Sequence, residues 1–220
     1  MKKTANKSAH RATAGGGTRA KNDAPAGASR AGSHNGHGFE PNPAWLKDFL
    51  SEMLAVEHGG VMFYEKALNE LSHEDLRDRL EEFLEETRHH VELCEEMLDA
   101  AGGDPDEMSP GAKAAQAKAE GLIAAEVPEA LADFSNIENL VLGETKDHWN
   151  WEMLSETAKL IEDRELKSVI TAAVREAAKQ EQDHLTWNSE TLTELAREMA
   201  RKSADETMEE GEEEEDWKAS

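Results

Sequence analysis

The sequence predicts an all-α protein, an antiparallel four-helix bundle with a long crossover between its second and third helices, and three observations carry that expectation. Apolar residues recur at spacings of three and four through four long segments, the period of a helix that buries one face. Aromatic residues make up 5% and charged residues 33% of the 220-residue chain, and Ala, Leu, Glu and Lys dominate its middle, a composition that favours helix. No stretch shows the strict alternation of a half-buried strand.

The first helical pattern opens at Asn42-Pro43, with Pro43 suited to the first turn. It runs through Leu46, Leu50, Met53, Glu57, Gly60/Val61, Tyr64, Leu68 and Leu71. Ser72-His73-Glu74-Asp75 is expected to turn the chain and cap the second helix. That helix carries Leu76, Leu80, Phe83, Glu86/Thr87, His90, Cys94 and Met97, and stops at Gly102-Gly103-Asp104-Pro105. So short a turn makes the two helices antiparallel neighbours. Pro105, Pro110 and Pro128 then surround an Ala/Lys-rich piece from Ala112 to Ala125, which reads as a crossover containing a short helix. The third long pattern starts near Leu131 and carries Ile137, Leu140/Val141, Glu144, His148, Trp151, Leu154, Ala158 and Ile161. Glu162-Asp163-Arg164 is the expected turn. The fourth pattern holds Leu166, Ile170, Ala173, Ala177, Glu181, His184, Asn188, Leu192 and Leu195, and fades at Lys202-Ser203.

This length suits one domain with a full core. Residues 1 to 40 read as a disordered basic tail, residues 41 to 203 as the bundle, and residues 204 to 220 as a disordered acidic tail. Residues 1 to 38 carry seven Lys/Arg against one Asp, and residues 205 to 220 carry nine acids against one Lys. The body between them holds thirty-eight acids against sixteen bases, out of a formal net charge of -24 for the chain. Such a body repels nucleic acid and membrane surfaces and attracts cations. Cys94, the sole cysteine, excludes an intramolecular disulfide and any zinc or iron-sulfur site built on thiolates, and is expected as a small core filler. Neither a secretory h-region after Met1-Lys2-Lys3 nor a long apolar run is present, so a soluble cytoplasmic protein is expected.

The chemistry sits in the apolar stripes. Glu57, Glu86, Glu144 and Glu181 each interrupt one, and a buried carboxylate costs several kcal/mol unless it is paired or ligates a cation. Glu86 and His89, like Glu181 and His184, lie three residues apart, about 4.5 Å along a helix axis, so each pair can grip one metal ion. The two hairpins also form an internal repeat. Tyr64 and Trp151 follow Glu57 and Glu144 by seven residues, and Glu65 and Glu152 follow them by eight. His90 lies four residues from Glu86 and competes with His89, but is expected behind the ligands or in packing. His148, one turn after Glu144, is either a further donor or an orienting group. His58 points about 100° away from Glu57 and is expected at the surface.

As a full constellation these residues resemble the ferritin-like di-iron or di-manganese carboxylate superfamily, whose ligand set is a Glu on two helices and Glu-x-x-His on the other two. The resemblance covers roughly residues 43 to 200. Within the superfamily the chain is similar to the rubrerythrin core and to the small ferritin-like stress proteins of the Yci type, the run Leu84-Glu85-Glu86-Thr87-Arg88-His89-His90-Val91-Glu92 looking most like the latter. It implies the metal ligands Glu57, Glu86, His89, Glu144, Glu181 and His184, with bridging oxygens from Glu86 and Glu144 or from their symmetry mates. It further implies two iron ions, or alternatively two manganese ions, and ferroxidase or peroxidase chemistry on dioxygen or hydrogen peroxide, in iron handling or oxidative-stress defence. The paired cysteines of a rubredoxin domain are missing, and no fifth helix follows residue 203, so a homodimer is expected rather than a storage cage. Two readings of another class stand beside it: a non-catalytic stress or interaction protein whose basic tail from Lys2 to Arg30 binds nucleic acid, or shell cargo docked by the tail around Trp217.

Overall fold

The structure is a computed structural model that describes residues 40–201, and every regular element among them is helical. The two expected tails fall almost wholly outside the described residues. No helix among those described is long and apolar enough to cross a membrane.

Five α-helices follow one another: α1 (Pro43–Asn69), α2 (Arg77–Ala100), α3 (Pro110–Ile123), α4 (Ala132–Ala158) and α5 (Arg164–Met199). Local chemistry sets most of their ends. The Asn42 side chain accepts from the backbone nitrogens of Ala44 at 3.0 Å and Trp45 at 3.4 Å, ahead of Pro43 in the first turn of α1. Asp163 accepts from Glu165 and Leu166, each at 2.9 Å, and so starts α5. Past the end of α2, Gly102 takes the left-handed φ of 72° while Gly103 donates its N–H to the Leu98 carbonyl at 2.8 Å, a closure that favours glycine.

The start of α2 differs from the expected cap. A short 3-10 turn, Glu74–Leu76, precedes it, and no side chain caps it. Ser72 and His73 are instead tied to Asp133 at the start of α4. Its carboxylate accepts from the Ser72 backbone nitrogen at 3.0 Å, the Ser72 hydroxyl at 2.6 Å, the His73 backbone nitrogen at 3.0 Å and the His73 ring. A tertiary partner thus outcompetes the local cap.

The crossover contains α3, which starts two residues before the expected Ala112 because Ser109 caps it and Pro110 opens it. It lies along α1. Ala112 and Ala115 pack on Ala55, and a Cβ at Gly59 would meet the Ala119 Cβ at 3.1 Å, so small residues let the two backbones approach.

Cross-helix pairs give the directions of the long helices. Lys47 reaches the Gly102 carbonyl while Tyr64 meets Phe83, so α1 and α2 run antiparallel. Glu57 with Trp151 and Glu70 with Asn136 make α1 and α4 antiparallel. Glu86 with His184 and His73 with Glu198 do the same for α2 and α5. Two apolar clusters result, at different levels along the helices. One gathers Leu50, Met53, Cys94, Met97, Trp151, Leu154 and Ile170, and the other gathers Tyr64, Leu80, Phe83, Ile137, Leu140 and Leu195. On every long helix the stripe acids fall between these two levels, so the polar residues form a layer with an apolar cluster on either side.

Candidate metal centre

Glu57 from α1, His90 from α2, Glu144 and Asp147 from α4, and Glu181 and His184 from α5 are all buried in that layer. All but Asp147 supply donor atoms to two groups. Glu57, His90 and Glu181 place one ligand atom each within 4.8 Å of the others, and Glu144, Glu181 and His184 do likewise. Glu181 belongs to both and is the carboxylate placed between them.

The internal repeat has a structural meaning that spacing alone does not convey. Each aromatic residue seven positions after a stripe glutamate braces the glutamate of the other hairpin. Trp151 Nε1 donates to Glu57 Oε1 at 2.9 Å, and the Tyr64 hydroxyl donates to Glu144 Oε1 at 2.6 Å. Asn188 Nδ2 in turn donates to the Tyr64 oxygen at 3.1 Å. Burial and then the Glu144 charge push the Tyr64 phenol well up, so it keeps the proton it donates.

Behind the two imidazoles runs one chain of hydrogen bonds. Glu86, partly exposed, accepts from Gln180 Nε2 on one oxygen at 2.8 Å and faces His184 Nε2 with the other at 2.8 Å. An ionised carboxylate only accepts, so the Gln180 nitrogen must point at Glu86 and its oxygen at His90, where Nε2 lies 3.0 Å away. That oxygen also only accepts. His90 therefore carries its proton on Nε2 and turns a bare Nδ1 inward, and His184, donating from Nε2 to Glu86, does the same in its neutral form. Against burial, the His184 and Gln180 hydrogen bonds hold the Glu86 carboxyl below its usual range, which supports the ionised state this assignment uses.

The inward nitrogens meet carboxylates. His90 Nδ1 stands 2.7 Å from Glu181 Oε1 and 3.8 Å from Glu57 Oε2, while His184 Nδ1 stands 3.5 Å from Glu144 Oε2 and 3.6 Å from Glu181 Oε1. Neither nitrogen makes a hydrogen bond, and among the buried atoms Glu57 Oε2, Glu181 Oε2 and Asp147 Oδ1 make none either. Lone pairs converging in a dry interior repel one another unless protons or a cation lie between them. Burial, followed by the crowding of Asp147, pushes Glu57 and Glu181 well above the carboxylate range, and burial with Glu144 pushes Asp147 up to about 7. Burial drives His90 down to about 4. Burial also opposes charge on His184, but Glu144 and Glu86 carry it above its usual value. A carboxylate and imidazole donor set of this kind fits iron or manganese better than a thiolate-loving metal.

Five of the six residues in the expected ligand set lie at the centre or directly behind it. His89 does not. Its side chain is 43% exposed, 3.2 Å from Glu92 and 3.0 Å from Glu176 on the outer surface, and His90 occupies the inward position. His148 is half-buried against Trp149, outside both donor groups, and His58 is exposed as expected. Glu65 meets Arg88 at 3.0 Å on the surface, and Glu152 is exposed. Cys94 is buried in the first apolar cluster, its thiol pushed well up by burial and then by Glu57, so it stays protonated. Asp147 and Gln180 went unread in the sequence; the only signals were the three-residue step from Glu144 and the position next to Glu181.

A family model described as a domain of unknown function, DUF892, matches residues 44–186, and the chain belongs to that family. The matched span includes every residue of the centre. No curated protein and no solved structure matches the chain.

Proposed function

We propose that residues 41 to 203 form a ferritin-like carboxylate bundle that binds two iron ions, or two manganese ions, and serves as a cytoplasmic ferroxidase or peroxidase acting on dioxygen or hydrogen peroxide. One observation carries the reading: two inward imidazole nitrogens without hydrogen-bond partners face buried carboxylates in two donor groups that share Glu181. Glu57, His90 and Glu181 would hold one ion, and Glu144, Glu181 and His184 the other, Glu181 being common to both groups. In this assignment His90 takes the role first given to His89, and Glu86 holds His184 from behind.

Metal ions held there would supply the redox change. The chain's own residues do the rest. Gln180 fixes the tautomer of His90, whose ligand nitrogen is presented without a proton to displace, and Glu86 orients His184 so that its Nδ1 faces inward. Trp151 and Tyr64 limit the rotation of Glu57 and Glu144. The apolar clusters on either side exclude water, which strengthens every charge interaction within the layer.

Elemental mass spectrometry of the chain after reconstitution with Fe(II) or Mn(II) tests the proposal, followed by optical absorption on adding peroxide. Two ions per chain and a new ferric band after peroxide are expected. A chain that retains no metal, or that retains the same metal after Glu181→Ala, overturns it.

A further inference from the structure

Asp147 has no place in a ligand set of one Glu on two helices and Glu-x-x-His on the other two. It follows Glu144 by one turn of α4, so both side chains project toward the same layer. It is 6% exposed, lies within hydrogen-bonding reach of Glu57, and its Oδ1 has no hydrogen-bond partner. Asp133 on the same helix is equally buried, yet its carboxylate accepts from four groups of Ser72 and His73, as a structural aspartate should.

Burial and Glu144 raise Asp147, and the nearby His184 and Lys146 offset them only in part. Lys146, its neighbour in sequence, turns outward to Glu52 at 3.0 Å and to Asn150. Glu144, one turn before it, adds charge of the same sign. A fourth carboxylate here costs several kcal/mol, and a cation is the chemistry that offsets it.

The internal repeat shows that the residue is specific to one half of the centre. Three positions after Glu57, where the first hairpin would place its counterpart, stands Gly60, and a Cβ there would meet the Thr87 methyl at 3.1 Å. One hairpin offers a donor and the other offers close packing.

We propose that Asp147 is a metal ligand on the Glu57 side, which makes the group of Glu57, His90 and Glu181 richer in oxygen donors than the group of Glu144, Glu181 and His184. The centre is then unequal, and a hard divalent cation fills the Glu57 side first. This inference rests on the dinuclear reading above.

The test is Mn(II) titration calorimetry of the full chain beside Asp147→Asn, Asp147→Ala and the exposed-acid control Glu176→Gln, with far-ultraviolet circular dichroism to verify folding. Co(II) absorption provides a second readout of coordination. The wild type should bind two ions in two steps. Removing even a partner behind a ligand costs about 10- to 100-fold in affinity, so Asp147→Asn should weaken the tighter step by at least that factor and change the Co(II) spectrum. Asp147→Ala should do the same, while Glu176→Gln leaves both steps in place. Two unchanged steps and an unchanged spectrum in both Asp147 variants overturn this inference and leave the dinuclear reading intact. A wild-type chain that binds no Mn(II), Co(II) or Fe(II) overturns both.

Discussion

Replacing Trp151 with Phe removes one hydrogen bond and part of one ring from the middle of the protein. The indole nitrogen donates to Glu57 Oε1 at 2.9 Å, both residues are fully buried, and the second Glu57 oxygen has no partner. The variant therefore leaves Glu57 Oε1 buried without its donor, a penalty of about 2 kcal/mol. Trimming indole to phenyl uncovers on the order of 40 Å² of apolar contact, or about 1 kcal/mol, and the residual cavity brings the total to about 3–4 kcal/mol. At about 2–4 °C per kcal/mol for a domain of this length, the melting temperature of the metal-free chain should fall by about 6–16 °C. The hydrogen bond is separated from the packing by repeating the substitution in a Glu57→Leu background, where no carboxyl is left to orphan. Urea denaturation of the four chains in the presence of a chelator should give a coupling of about 2 kcal/mol. A coupling below about 0.5 kcal/mol, the level of independent sites, would refute the brace.

Tyr64→Phe removes only the hydroxyl that donates to Glu144 and accepts from Asn188, and urea denaturation should show a loss of about 1–2 kcal/mol. His89→Ala should keep two ions per chain by elemental mass spectrometry, whereas His90→Ala should lose one. Asp133→Ala should cost about 2–3 kcal/mol, because four donors in the turn before α2 and at its entrance lose their acceptor. The same latch gives a pH dependence. The hydrogen bond to Asp133 holds His73 above its usual range, while the Ser72 and His73 hydrogen bonds hold Asp133 below its own against the pull of burial. The histidine contribution is complete below its unfolded value of about 6.5 and fades as pH rises through the raised one. The aspartate contribution is complete above about 3.9 and fades as pH falls through the lowered one. Thermal melts should thus find the latch strongest between about pH 4 and 6.5, and Asp133→Asn should flatten that profile.

How far the sequence could be read depended on whether the deciding interaction was local. Asn42-Pro43 and Asp163 set helix starts through their own neighbours, so α1 and α5 were legible to within a few residues. Ser72 carries the same kind of signal, but its hydroxyl goes to Asp133, 61 positions away, and no local pattern announces that partner. Which of the two histidines faces inward was not legible, for a geometric reason. At 100° per residue, position +3 trails Glu86 by about 60° and position +4 leads it by about 40°, so His89 and His90 flank the stripe almost equally. What decides is the roll of α2 against α5, where Gln180 meets His90 on the inside and Glu176 meets His89 on the outside. Asp147 was hidden by the same ambiguity, sitting three residues from Glu144 with His148 at four.

The arrangement of the layers explains how a chain can keep four buried carboxyls in one layer and still fold. Each long helix contributes apolar residues to both clusters, and the ionisable residues of the centre lie at the level between them, so loss of the central charges leaves the hydrophobic burial above and below in place. Buried ionisable groups add little net stability, and apolar replacements of similar volume are often neutral or better. The central layer is therefore a liability to the metal-free fold that its neighbours offset. Ligand variants such as Glu181→Leu should consequently separate the two properties, losing metal while melting at or above the wild-type temperature of the metal-free chain. Trp151 and Tyr64 are the exceptions, because each belongs to an apolar cluster and braces a carboxylate of the layer at once, so loss of either side chain must weaken both.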